Sequence, residues 1–174
     1  IGINLDSQLI ALKDFIKKRN KKKTVILYPE NEYSSYIEST IKRLDFKHHK
    51  LFKYSSDPKI LTGQIEKLSN YSQRKKNLEF RKKILEEKDD EASKRELENL
   101  DQRYTLGDVN FDSLIVIDFG NSLKSVLASL VFADVNEKKV TYMTVNQWFD
   151  ESIFYENSVK TLYYPSINYK NFKE

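Results

Sequence analysis

Two hydrophobic patterns alternate along this chain. One is a short unbroken apolar run; the other is a stripe at helical spacing. Residues 114–117, Leu-Ile-Val-Ile, are the clearest run, set between Asp112 and Asp118 and closed by Gly120. A strand with one wet face alternates apolar and polar residues, whereas an unbroken run needs cover on both faces, as in a parallel sheet under helices. Residues 24–28, Thr-Val-Ile-Leu-Tyr, repeat the pattern and stop at Pro29. Residues 140–145 give another run, and residues 161–164 another, stopped by Pro165. Residues 46–54 alternate instead, which suits an edge strand whose lysines oppose edge-to-edge pairing.

Helical stripes fill the intervals. Leu9, Leu12, Phe15 and Ile16 predict a helix from a cap at Asp6 or Ser7 to about Lys18. Tyr36, Ile37, Ile41 and Leu44 predict one over 34–44. Asp57 and Pro58 open a third over 58–71, with Ile60, Leu61, Ile65 and Leu68 inward. Residues 121–133 predict a helix, with Gly120 making the turn and Asn121 the cap. A short helix over 152–157 and the start of another in 168–174 complete the series. Residues 72–104 differ: about half are charged, and no Gly or Pro interrupts them. Leu78, Leu85 and Ala92 recur every seven residues, so this is a long helix or a helical hairpin, with a break near 89–92 where Ser93 and Glu96 have capping-box spacing. Strands alternating with helices predict an α/β fold. Its form is a three-layer α/β/α, doubly wound, mostly parallel five-stranded sheet of flavodoxin-like order 2-1-3-4-5, with residues 72–104 as a charged helical arm within a single unit spanning 1–174.

Composition narrows this picture. The 174 residues suffice for one domain with a core. The net charge is +4, but 30 Lys and Arg are interleaved with 26 Asp and Glu, and the cations are 24 Lys against 6 Arg. Phosphate and base recognition favours arginine, so the expected partners do not include nucleic acid. Residues 17–23 are basic without an interleaved aromatic, which reads as a solvated helix end. There is no Cys, which excludes disulfides, zinc thiolates and thiol catalysis. No run is long enough to span a membrane. The chain begins Ile1-Gly2-Ile3, which suggests a mature or excised piece.

Reaction chemistry finds little support. Four glycines supply neither a P-loop nor a dinucleotide fingerprint. His48 and His49, the two histidines, are adjacent on a predicted strand, so their rings face opposite sides and share no metal. Neither lies past a strand's C-terminal end, and no G-x-S-x-G elbow exists for a hydrolase triad. Asp118, near the end of its strand, either contacts a ligand or binds loop amides. No cofactor is implied. What remains is three strand-exit loops on one sheet edge: Glu30, Asn31 and Tyr33; Phe119, Gly120, Asn121 and Ser122; Asn146, Gln147 and Trp148. Aromatics with amides and hydroxyls describe a binding surface and not a reaction centre. The basic run of the arm, Arg74, Lys75, Lys76, Arg81, Lys82 and Lys83, is a candidate partner-binding face.

These loops carry a resemblance. Residues 25–33, an apolar strand followed by Pro29-Glu30-Asn31-Glu32-Tyr33, resemble the strand and loop of type I periplasmic binding proteins, with Ser34 where that family has Gly. Thr144-Val145-Asn146-Gln147-Trp148-Phe149-Asp150, then a short helix and a strand ending in Pro165, is similar to the penicillin-binding protein activators of the same superfamily, and keeps their Trp and Asp without their Gly. The arm followed by Phe111-Asp112-Ser113-Leu114 resembles that branch too. The resemblance implies one lobe of a two-lobed protein, without the first lobe. It implies no catalysis, a ligand cleft at the exit loops, and a periplasmic setting as an outer-membrane lipoprotein that stimulates a peptidoglycan synthase. The alternative within the superfamily is a lobe of an ABC-transporter receptor for amino acids or similar solutes. A cytoplasmic nucleic-acid-binding or regulatory α/β domain is the reading outside it.

Overall fold

A computed structural model describes residues 4–88, 90–146 and 158–166. Its order is α1 (Leu5–Lys18), β1 (Thr24–Pro29), α2 (Ser34–Arg43), β2 (Lys50–Tyr54), α3 (Pro58–Leu68), α4 (Tyr71–Glu86), α5 (Glu91–Asp101), β3 (Ser113–Val116), α6 (Gly120–Phe132) and β4 (Thr141–Thr144). The four strands form one parallel sheet in the order β2-β1-β3-β4. The expected five-stranded sheet is thus four-stranded among the described residues. In the segment expected to form the fifth strand, Tyr163 makes a single parallel bridge to Met143, so the pairing stops after one residue. The edge strand is also shorter than its alternation suggested. Phe46 is buried under α1 and α2, and His48 and His49 precede β2.

The unbroken runs are buried on both faces, as the pattern required. Alternate residues of one strand serve opposite layers. Val25, Leu27, Leu114 and Val116 join the cluster built with α3 and α6, around Leu61, Ile65, Leu123 and Leu127. Ile26, Tyr28, Ile115 and Ile117 join the cluster built with α1 and α2, around Leu9, Leu12, Ile37 and Ile41. Two stripe residues face water instead: Tyr36 and Ile60 are about half exposed.

Helix ends account for the scarcity of glycine. Asn20, Asp45, Asn70 and Asp134 follow α1, α2, α3 and α6, each with φ between 45° and 53°. Short polar side chains tolerate this left-handed region, which usually takes Gly after a helix. Lys21, Phe46 and Val135 then close their helices by donating to Ile16, Ile41 and Leu130. At α1 the cap is Asn4 and not Asp6 or Ser7, and its side-chain oxygen Oδ1 accepts from the Ser7 N–H at 2.9 Å. Asp57 caps α3 as expected.

The arm is a hairpin of α4 and α5. Asp90 caps α5 through the Ser93 N–H and hydroxyl, both at 2.8 Å. Its own small core is Leu78, Leu85 and Leu100. Glu96 does not close a capping box; it reaches across to Arg81.

Candidate functional site

All strands point the same way, so their exit loops gather on one edge. In the order β2-β1-β3-β4 the chain winds outward from β1 to β2, then crosses back to β3. Loops leaving neighbouring strands of opposite winding diverge and leave a crevice, the usual ligand position in open α/β sheets. A recess of about 380 Å³ lies there. Its walls are Pro29, Asn31, Tyr33, Tyr36 and Ile37 from the β1 side, and Ile117, Asp118 and Phe119 from the β3 side. Leu5, Gln8 and Val145 close it.

Each loop is held by bonds that its sequence supplies. After β1, the Ser34 hydroxyl donates to the Pro29 carbonyl at 2.9 Å and accepts from the Asn31 N–H at 3.0 Å. The Asn31 side-chain oxygen accepts from the Tyr33 N–H at 2.9 Å, an Asx turn. After β3, Asp118 binds the Phe119 N–H at 2.8 Å through one oxygen; the other accepts from the hydroxyls of Ser122 and Tyr54. Burial raises the Tyr54 phenol far above its usual range, and the Asp118 charge adds to that. Tyr54 therefore stays a donor, and Asp118 binds loop groups, one of the two roles anticipated for it. After β4, the Asn146 N–H donates to Gln8 Oε1 at 2.6 Å and its amide donates to the Pro165 carbonyl at 2.7 Å.

The recess brings Asn31, Tyr33 and Phe119 together. The other expected loop residues sit elsewhere. Glu30 and Asn121 are exposed outside it. Asn121 does not cap α6 by its side chain; Phe119 occupies the cap position, and Gly120 takes the left-handed turn at φ 53°. Ser122 is engaged with Asp118, and Asn146 is a buried latch to α1. Gln147 and Trp148 lie outside the described residues, as do the helix expected over 152–157 and the tail 168–174. Tyr36, Ile37, Ile117, Leu5 and Gln8 were not anticipated. Tyr36 carried the one usable signal, an aromatic in the first turn of the helix that follows the β1 exit loop.

The lining is mostly apolar. Among the described residues Asp118 is its only carboxylate, and no Lys or Arg lines it. No described group of three His, Asp or Glu could hold a metal ion. Such a recess accepts an apolar or aromatic group and offers amide contacts at its rim. Its described lining holds no paired nucleophile and base.

The arm's basic run divides. Arg74 is 6% exposed. Its guanidinium donates to the carbonyls of Gly107 (3.1 Å), Ala133 (3.1 Å) and Asp134 (2.7 Å) and to the Thr105 hydroxyl (2.8 Å). It clasps the arm's base to the end of α6, and is not a docking cation. Burial lowers its pKa, against the raising effect of the Asp134 and Asp108 charges. Arg81 makes a two-pronged pair with Glu96, both bonds 2.8 Å, and Lys82 pairs with Asp101 at 2.6 Å. Lys75, Lys76 and Lys83 are exposed. No helix of the described residues is long and apolar enough to cross a membrane.

Comparison of the chain with protein-family models, with curated proteins and with solved structures returned no match.

Proposed function

We propose that this chain is a non-catalytic binding lobe of the periplasmic-binding-protein kind, nearest to the penicillin-binding protein activators, and that it acts by holding a ligand or partner group at the exit edge of its sheet. The observation that carries this reading is the apolar recess between β1 and β3, with an aromatic rim of Tyr33, Tyr36 and Phe119. The loops around it are fastened by their own hydrogen bonds, so the surface is organised before anything binds, which lowers the cost of binding. In a two-lobed protein this edge faces the other lobe and forms half of a cleft. The setting is periplasmic, and the partner of the whole protein is a peptidoglycan synthase.

The lining bears on the solute alternative. Free amino acids carry a carboxylate, and the described lining of this recess includes no cation to meet one. The experiment is capture of a purified penicillin-binding protein by the full-length, two-lobed protein, followed by stimulation of glycan polymerisation. Tyr36→Ser with Phe119→Ser should weaken capture about tenfold while leaving the melting temperature nearly unchanged, since both side chains are exposed. A melting temperature raised by a free amino acid, with no synthase capture, would favour the solute receptor. The absence of both effects would remove the proposal.

A further inference from the structure

The opposite edge of the sheet, where strands begin, has its own character on the β1–β2 side. Residues 17–23 carry six cations and no anion, and residues 42–50 carry four cations against Asp45. The whole chain is only +4, so the remainder is net negative. The fold brings both segments together. Lys13 Nζ donates to the carbonyls of Leu44 (3.0 Å) and Asp45 (3.2 Å), tying the end of α1 to the end of α2. A cleft of about 530 Å³ lies between them, lined by Lys13, Lys17, Lys21, Lys22 and Lys47, with Asp14 and Asp45.

Several of these cations have other work. Arg43 pairs with Asp6, Arg19 lies over the rings of Phe15 and Tyr163, and Lys23 donates to Asn110. Lys17, Lys18, Lys22 and Lys47 form no ion pair among the described residues, and Lys21 is close enough to Asp112 for its charge to help lower that carboxyl's pKa without a direct ion pair. The helix dipole accounts for cations in the last turn of α1, Lys17 and Lys18. It does not reach Lys21, Lys22 or Lys47, which come from loops. Asp14, Asp45 and Asp112 offset part of this charge, but the cations outnumber them, and an excess of like charge raises the energy of the fold unless something outside neutralises it.

We infer that this basic end docks on an anionic phospholipid surface. The chemistry favours a bilayer over a nucleic acid. Lysines on long flexible stems suit a smooth field of phosphate charge, whereas base recognition draws on arginine forks and exposed aromatics. The patch has neither: Arg19 is occupied by two rings, and Phe46 is buried. Clusters of four to eight Lys and Arg beside a membrane bind anionic headgroups in this way. Because the basic end and the recess lie on opposite edges of the sheet, docking would present the recess away from the membrane. The inference rests on charge placement and not on the proposed function.

The test is flotation of the 174-residue chain with vesicles of phosphatidylcholine alone or with about a third phosphatidylglycerol. Binding is expected only with the anionic lipid, and should disappear as salt rises from about 50 to 500 mM. Lys17→Glu with Lys21→Glu and Lys22→Glu should weaken binding about a hundredfold. The same charge change on the arm, Lys75→Glu with Lys76→Glu and Lys83→Glu, should weaken it less than about threefold. Circular dichroism confirms that both variants fold, and Lys→Gln versions serve if either does not. Equal losses in the two variants would overturn the patch. So would no binding by the parent at low salt, or tighter binding to duplex DNA with the same lysine dependence.

Discussion

Two basic stretches of similar composition, 17–23 and 74–83, are treated oppositely by the fold. The second, in the arm, has half of its cations engaged, while Lys75, Lys76 and Lys83 are exposed. Arg74 is buried against three carbonyls and a hydroxyl, while Arg81 and Lys82 meet Glu96 and Asp101 on α5. The first is left in water. The difference lies in what each stretch faces. A helix in a hairpin meets a second helix, and here α5 supplies the anions. The connection past the end of α1 keeps most of its side chains exposed, although Asp112 binds its Lys22 and Lys23 N–H groups and Lys23 reaches Asn110. A run of cations therefore reports a surface only when the opposing element is known.

The sharpest break of this comparison is Arg74→Ala. It would leave three carbonyls and the Thr105 hydroxyl without their donor and detach the arm's base, at a cost of about 3–5 kcal/mol. The urea midpoint checks it, and a loss under about 1 kcal/mol would mean that Arg74 is no clasp. Asp118 is its counterpart on the other edge, a buried charge held by neutral donors. Tyr54→Phe removes one of them and should cost about 1–2 kcal/mol without disturbing α4 or α5. Amide exchange separates the effects: protection should fall in the arm for Arg74→Ala and in the β3 exit loop for Tyr54→Phe.

The titrating groups sharpen the contrast by pH. Burial lifts the Tyr28 phenol from 10.0 to about 12, and Glu38 adds to it. A raised folded value means that this contribution is complete below pH 10.0 and is lost as pH rises toward about 12. Tyr28→Phe should flatten the stability curve in that window. Asp112 works on the acid side. Burial opposes its charge, but the N–H groups of Lys22 and Lys23 and the Ser113 hydroxyl outweigh burial and hold it below 3.8. Its contribution is present above that value and is lost as pH falls through the depressed one. Asp112→Asn should remove its share of the acid limb and leave the alkaline limb alone. Arg81→Ala, at a half-exposed pair, should cost under about 1 kcal/mol. Smallest of all, the Lys17, Lys21 and Lys22 reversal should change stability by less than about 0.5 kcal/mol. A larger change would mean that those lysines serve the fold and not an outside surface.

Much of the frame was legible. The apolar runs at 24–28 and 114–117 became the two central strands because a segment buried on both faces has no polar position to spare. Asp57 with Pro58 marked a helix start by local chemistry alone. Asn31, Tyr33 and Phe119 line one recess, since parallel strands deliver their exit loops to one edge. The failures have a common cause. Tyr36 and Ile60 have helical spacing but sit at the flank of their stripe, and spacing does not state how wide the covering neighbour is. Asn146 looked like a ligand amide, yet a buried amide takes whatever partners the fold provides, here Gln8 and Pro165.

The sequence by itself determined the central strands, most of the helices and the parallel α/β class, because these follow from the period of burial and from local capping chemistry. The tertiary structure alone decided which charges are spent inside and which remain outside. The partners of these cations lie tens of residues away: Arg74 donates to the carbonyls of Ala133 and Asp134, and Lys13 to those of Leu44 and Asp45. No local pattern encodes that distance.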